Sequence, residues 1–143
     1  MHVRPAQLED ARAIAHVQIT SWRQAYRNIV AAHTLDGLST ESIARTREGQ
    51  IREGMPKIWV ACQGDQIVGY AIAGHPPDHK AQYHTELLAL YVLPSQIGSG
   101  VGRSLVSAVV HHLIKEGGTS LLIRAFRDNV PARRMYENIG GQF

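Results

Sequence analysis

The sequence predicts a single α/β domain spanning residues 1–143, an α+β mixed sheet with helices on its faces. Three observations carry that reading. β-rich runs and apolar stripes of helical period alternate in the order β-α-α-β-β-β-α-β-α, with a further strand beginning at the end. Two of the β runs read as a hairpin. No repeat, low-complexity tract or linker divides the chain, whose length suffices to bury a sizeable core without a disulfide or a metal.

HVRP, residues 2–5, is a short first strand that stops at Pro5. From Leu8 to about Tyr26 the apolar positions Leu8, Ala11, Ile14, Ala15, Ile19, Trp22 and Tyr26 recur every three or four residues, which describes one helix face. A bend follows near Arg27-Asn28, then a weaker helix from Ser39 to Arg52. KIWVACQ (57–63) and QIVGYAIAG (66–74) form the hairpin around Gly64-Asp65, and HPPDHK (75–80) is a loop. HTELLALYVLP (84–94) is a strand ended by a proline that cannot continue a central ladder. Beyond it Val101, Leu105, Val109 and Leu113, with Val106, Val110 and Ile114, make a helical stripe that ends at Gly117-Gly118. TSLLIRAF (119–126) is a strand. Asn129 is a suitable N-cap and Pro131 fits a first turn, so a last helix runs to about Ile139 and stops at Gly140-Gly141.

Composition narrows the function. With 44% hydrophobic and 19% charged residues the chain is an ordinary globular protein, and no apolar run approaches the roughly 18 residues of a membrane helix. One cysteine, Cys62, leaves no intrachain disulfide; together with a start that lacks a basic-then-apolar leader this predicts a cytoplasmic protein. A net charge of +3 suits an anionic ligand, but the basic residues are scattered, which argues against nucleic acid. The eight histidines show no HExxH spacing, and His111-His112 point to different helix faces, so no metal site is expected.

The stretch with the most information is LPSQIGSGVGRSL, residues 93–105, where Gly98, Gly100 and Gly102 alternate just before a helix. Glycine costs about 0.5–1 kcal/mol relative to alanine inside regular structure, so the run implies a special backbone shape or a close approach. A P-loop fails because its first glycine would fall on Ile97 and its lysine is absent. A dinucleotide fingerprint fails because Gly102 comes one position early. A run of small residues at a helix start does expose uncapped amides at the positive end of the helix dipole, where a pyrophosphate fits, with Arg103 adding a cation at the edge. A tight strand-to-helix turn with no ligand is the plainer alternative.

In its context the stretch LYVLPSQIGSGVGRSL resembles the acetyl-CoA pyrophosphate loop of the GNAT acetyltransferase superfamily, [QR]-x-x-G-x-[GA] between a strand and a helix. The resemblance extends to VRPAQLEDARAIA at the start, to Asn129-Val130-Pro131-Ala132, and to Met135-Tyr136-Glu137-Asn138-Ile139-Gly140. It implies the acyl-CoA N-acyltransferase fold, acetyl-CoA as acyl donor, and a loop Ile97, Gly98, Ser99, Gly100, Val101, Gly102 and Arg103 around the pyrophosphate. Gly100-Val101-Gly102 take the last three motif places, while Ile97 stands where the family has Gln or Arg, which implies altered CoA affinity rather than none. By the same resemblance Leu90, Tyr91 and Val92 offer backbone hydrogen bonds to pantetheine where two strands splay, and an N–H there polarises the thioester oxygen. Asn129 matches an asparagine that contacts CoA, and it serves equally well as a plain N-cap.

The implied acceptor is a primary amine on a small molecule or peptide. An amine of pKa about 10.4 is neutral only about once in 2,500 molecules at pH 7, so a base or a water-linked proton exit is required. Glu86, on the strand before the loop where several family members carry a general-base glutamate, is the candidate base. A glutamate that simply ends the strand or pairs with Arg124 is the alternative. Tyr136 matches a tyrosine that stabilises or protonates the leaving thiolate. His84 could relay a proton beside Glu86 if its side chain shares that face, which the two-residue spacing on a strand permits. Ser21-Trp22-Arg23 and Tyr26 fall where the first two helices meet, a region that lines the acceptor cleft in similar proteins; packing is the expected role of Trp22, and that of Tyr26 stays open.

The family normally continues past GGQF with the rest of one strand and a final strand. Their absence implies a truncated chain, a strand borrowed from a second subunit, or an open edge that favours a homodimer. Three functions follow in order: an N-acetyltransferase working by direct ternary-complex transfer, since Cys62 has no evident activating partner; a CoA-binding module that has lost catalysis; and a nucleotide-binding regulator.

Overall fold

The structure, a computed structural model, describes residues 1–26, 39–74, 85–118, 120–123 and 130–138, and of residues 25, 26 and 130–133 only the backbone. Its strands are β1 (His2–Pro5), β2 (Lys57–Gln63), β3 (Gln66–Gly74), β4 (Thr85–Val92) and β5 (Leu121–Ile123). Its helices are α1 (Ala11–Tyr26), α2 (Thr40–Glu53), α3 (Val101–Lys115) and α4 (Val130–Asn138), with single 3₁₀ turns at Leu8–Asp10 and Pro94–Gln96. The strands form one sheet in the order β1-β2-β3-β4-β5, antiparallel except for the β4–β5 pair, which α3 connects as a crossover.

The expected hairpin is present, with Gln63 opposite Gln66 across Gly64-Asp65. The expected first helix begins later than Leu8 because Asp10 organises its start. The Asp10 carboxylate accepts from the Gln7 amide at 2.7 Å and from both ends of the Arg4 guanidinium at 2.7 and 3.1 Å, and the first turn tightens to 3₁₀. At the start of α2 the Ser42 amide donates to Ser39 Oγ at 3.2 Å. α3 ends as its glycines require, with the Gly118 amide on the Leu113 carbonyl at 2.9 Å and that of Gly117 on Ile114 at 3.0 Å. The strand expected over 84–94 keeps regular pairing to Val92; the Leu93 amide still bonds the Val68 carbonyl at 2.8 Å before Pro94 turns the chain.

Directly opposed residues share a sheet face, so the register sorts the side chains. Val60, Tyr70 and Tyr91 stand in one row, and Trp59, Ala71 and Leu90 in the next row on the other face. α3 packs on the face of Trp59, whose ring meets His112 edge-on at 5.4 Å. The approach is closest at Gly69, where a Cβ would lie 3.0 Å from Val101 Cγ1 and 3.2 Å from Leu105 Cδ1. Val101, Leu105 and Val109, one helical turn apart, are fully buried there, each contributing about 1.5–3 kcal/mol by leaving water. α1 and α2 cover the other face, with Ile14 and Val17 fully buried. Among the described residues no helix is long and apolar enough to cross a membrane.

The bend at Arg27-Asn28, the loop 75–80, His84, Thr119, residues 124–126, Asn129, Ile139, Gly140-Gly141 and the closing GQF lie outside the described residues.

Candidate functional site

The glycine loop separates into two kinds of position. Gly98 and Gly100 have φ of 87° and 92°, backbone that side-chain-bearing residues rarely adopt, and a Cβ at either would meet nothing within 4 Å. They shape the turn and keep it open to solvent. Gly102 has ordinary helical backbone, but a Cβ there would lie 3.1 Å from Met135 Sδ, so this glycine lets α4 pack against the start of α3. Ser104 is the first residue of α3 whose amide finds a helical acceptor, the Gly100 carbonyl at 3.0 Å. The amides of Val101, Gly102 and Arg103 precede it and have no carbonyl to reach within the helix, which leaves them at its positive end. Ser99 Oγ turns back onto the Gln96 carbonyl, and Ile97 is 68% exposed on the rim. The residues present therefore fit a pyrophosphate: open space over two glycines, amides without helical acceptors, and the exposed Arg103 alongside.

The strand that feeds this loop carries an irregularity invisible to periodicity. Ile72 opposes Ala89 while Ala73 opposes Leu87, so Leu88 is an extra residue in β4, a β-bulge. The bulge resets the alternation. Tyr91 and Ala89 face α1, and beyond the bulge Glu86 rather than Leu87 takes that face, opposite Gly74. Glu86 is only 4% exposed. Among the described residues the parallel ladder with β5 covers Thr85, Glu86 and Leu87, and Leu90, Tyr91 and Val92 lie beyond it.

On Glu86's face the end of α1 is tied to β4 by two neighbouring residues. Ser21 Oγ donates to the Val92 carbonyl at 3.1 Å, and the Trp22 indole N–H donates to Tyr91 Oη at 2.8 Å. The Tyr70 ring lies 5.5 Å from that of Tyr91 and is fully buried; burial pushes its phenol pKa up, and its hydroxyl donates to Gln18 Oε1 at 3.0 Å. Arg47 of α2 donates to the same Gln18 oxygen at 2.7 Å and lies over the Tyr70 ring at 5.8 Å. α4 adds the half-buried Tyr136, whose phenol is pushed up to about 12 by burial first and by the nearby Tyr91 second. It therefore remains a hydrogen-bond donor throughout the neutral range.

The structure thus joins the predicted loop, Ile97 to Arg103, to the predicted strand residues Glu86 and Leu90 to Val92. Asn129 and the side chain of Tyr26 lie outside the described residues. Trp22, expected to pack, is half-buried and also bonded through its N–H. Sequence reasoning missed Gln18, Arg47 and the Tyr70 hydroxyl; the one available signal was three polar or amphipathic residues within an apolar pattern. Cys62 is buried on β2, opposite His2 and Ile67, and the neighbouring Gln63 side-chain amide donates to Gln96 Oε1 at 2.9 Å just before the loop. A groove of about 460 Å³, which shares Arg103 with the loop, runs between β1 and α3 and is lined also by His2, Val3, Ser104, Ser107 and His111 among others.

Comparison with known proteins follows the same lines. A family model described as "Acetyltransferase (GNAT) family" matches residues 16–140. An uncharacterized N-acetyltransferase, YuaI, of Bacillus subtilis is 28% identical over 128 residues, 89% of this chain and 72% of that protein. A mycothiol acetyltransferase of Kocuria rhizophila is 29% identical over 124 residues, 84% of this chain but only 41% of the relative's length. The fold matches that of the PaiA N-acetyltransferase from Thermoplasma acidophilum, solved in complex with coenzyme A, with a TM-score of 0.83 at 18% identity over 99% of this chain and 89% of that one.

Proposed function

Because the chain belongs to the GNAT acetyltransferase family, we propose that it moves an acetyl group from acetyl-CoA to a primary amine within a ternary complex. One observation carries this reading: an open, glycine-shaped loop with outward amides directly follows a strand whose bulge turns a buried glutamate toward α1. Acetyl-CoA supplies the activated acyl group. The amides of Val101, Gly102 and Arg103 hold its pyrophosphate, with Arg103 as a flanking cation and Asn129 as a further contact. The backbone of Leu90, Tyr91 and Val92 pairs with the pantetheine arm, and an N–H of that segment donates to the thioester oxygen as negative charge develops there.

Glu86 takes the proton that the amine must shed before it attacks. Tyr136 donates a hydrogen bond to the sulfur as it departs. The buried Cys62 pairs with Ile67, whereas Glu86 pairs with Gly74 at the opposite end of β3, which favours direct attack over an acetyl-enzyme. The acceptor is a small-molecule or peptide amine, and the relatives named mycothiol acetyltransferase make a mycothiol-type acceptor a sensible first panel member.

The test is steady-state turnover of Glu86→Gln, read as free CoA released with a panel of amines. The expected result is a fall in kcat of about 10²–10⁴ with acetyl-CoA affinity within a few-fold of the parent. An unchanged kcat would remove Glu86 from the reaction. Acetyl-CoA binding without turnover on any amine, in the parent protein, would replace the enzyme by a binding module.

A further inference from the structure

The groove between β1 and α3 takes no part in the acetyl-transfer scheme except where Arg103 borders it. Its α3 wall follows from helical spacing: Arg103, Ser107 and His111 recur every four residues and share one face, with Ser104 beside them. β1 supplies His2 to the same space, and Val3 and Ala108 give it an apolar lining. Among the described residues no acidic side chain lines the groove. Its five polar side chains also have no hydrogen bond or ion pair to another group of the protein among the described residues. Arg4, Arg12 and Arg52, by contrast, each meet a carboxylate. His2, Arg103, Ser107 and His111 are exposed and Ser104 is half-buried, so all five can be reached from solvent. Each carries a polar hydrogen, and Arg103 a permanent positive charge.

We propose that this groove, lined by Arg103, Ser104, Ser107, His111 and His2, binds a phosphate monoester. The donor set selects that chemistry. A phosphate monoester presents three acceptor oxygens and about 1.5 to 2 negative charges at pH 7. A guanidinium forks onto two of those oxygens, and the serine hydroxyls and imidazole N–H groups serve the third. A carboxylate, with two oxygens and one charge, leaves part of the set unused. The cavity of about 460 Å³ exceeds what a phosphate group fills, so the organic part of the ester fits alongside Val3 and Ala108. Two sources offer this group. One is the 3′-phosphate of CoA itself, a single ribose away from the pyrophosphate; Ser107 and His111 stand about 6 and 12 Å along the helix from Arg103. The other is a separate phosphorylated ligand. The site follows from the lining alone, and only the first source rests on the acetyl-CoA reading.

The test uses the full chain at a fixed ionic strength of about 0.15 M, where attraction between distant exposed charges is screened. Calorimetry compares CoA with 3′-dephospho-CoA, and NMR follows the His2 and His111 imidazoles while inorganic phosphate is added without CoA. Those two side chains report on the groove and not on the loop. The variant is Ser107→Asp, at an exposed helix position, which sets a negative charge against the ligand. If the cofactor supplies the phosphate, the parent binds CoA about tenfold more tightly than dephospho-CoA, and Ser107→Asp loses that preference with dephospho-CoA affinity within twofold. If a separate ligand does, the two cofactors bind alike, and phosphate shifts both histidine signals saturably in the millimolar range in the parent but not in Ser107→Asp. No preference for CoA together with no saturable phosphate response would overturn the proposal, as would responses undiminished in Ser107→Asp. Where Ser107→Asp fails to fold, Ser107→Ala combined with His111→Ala gives the calorimetric and His2 readouts. A parent that binds neither CoA nor dephospho-CoA would defeat the cofactor assignment, and the phosphate titration would still decide the groove by itself.

Discussion

The sheet face beneath α3 and the face beneath α1 and α2 are made from the same strands, but they are filled differently. Under α3, Val101, Leu105 and Val109 press onto Gly69 and its neighbours in an almost wholly apolar contact. Under α1 and α2, fully buried Ile14, Val17 and Val60 are interleaved with polar groups: Asp10 with Arg4, Gln18 with Tyr70 and Arg47, Trp22 with Tyr91, and Glu86. Apolar packing tolerates no gap but asks for no partner, whereas each buried polar group needs one and is expensive to leave alone. The difference teaches that one face holds the fold while the other trades some apolar burial for positioned donors and acceptors.

Leu105→Ala attacks that division most strongly. It should cost about 2–5 kcal/mol in denaturant unfolding, since Leu105 is fully buried beneath α3, while the folded protein keeps its acetyl-CoA affinity within a few-fold. A large loss of affinity with little loss of stability would mean that the α3 face is not merely structural.

Asp10→Asn probes the polar face where it serves the fold. Burial by itself raises the Asp10 pKa, but the Arg4 fork and the Gln7 amide outweigh it and hold the carboxyl below its ordinary value. A depressed folded-state pKa means that the stabilisation is fully present above the unfolded value near 3.9 and fades as pH falls through the folded one. The variant should be less stable than the parent by about 1.5 kcal/mol at pH 7, and the gap should narrow below about pH 4. Parallel unfolding curves at pH 7 and pH 3 would contradict this. Smaller still should be the effect on kcat, because Asp10 lies at the start of α1 and away from the loop.

Most elements were legible because their signals are local. The α3 stripe from Val101 to Leu113, the Gly64-Asp65 turn and the stop at Gly117-Gly118 each follow from residues a few positions apart. What stayed hidden depends on pairing between distant segments. The bulge at Leu88 exists only in the register of β4 against β3, so the face of Glu86 could not be fixed by counting along its own strand. Gly102 looked like a third ligand-facing glycine, and its closest neighbour is Met135, 33 positions further along the chain. The Trp22–Tyr91 bond spans 69 positions and leaves no pattern in either segment. The loop was readable as a shape, and the side chains that accompany it across the sheet were not.

The central claim, that the loop from Ile97 to Arg103 grips acetyl-CoA through its amides, is tested most directly by calorimetric titration of the chain with acetyl-CoA, with ATP as control. Gly100 has a φ of 92° and open space beside it, so Gly100→Asp would strain the turn and bring a carboxylate to the phosphates. The account predicts micromolar binding of acetyl-CoA, much weaker binding of ATP, and loss of acetyl-CoA binding in Gly100→Asp at unchanged fold. No binding by the parent chain, or equal binding by Gly100→Asp, would contradict it.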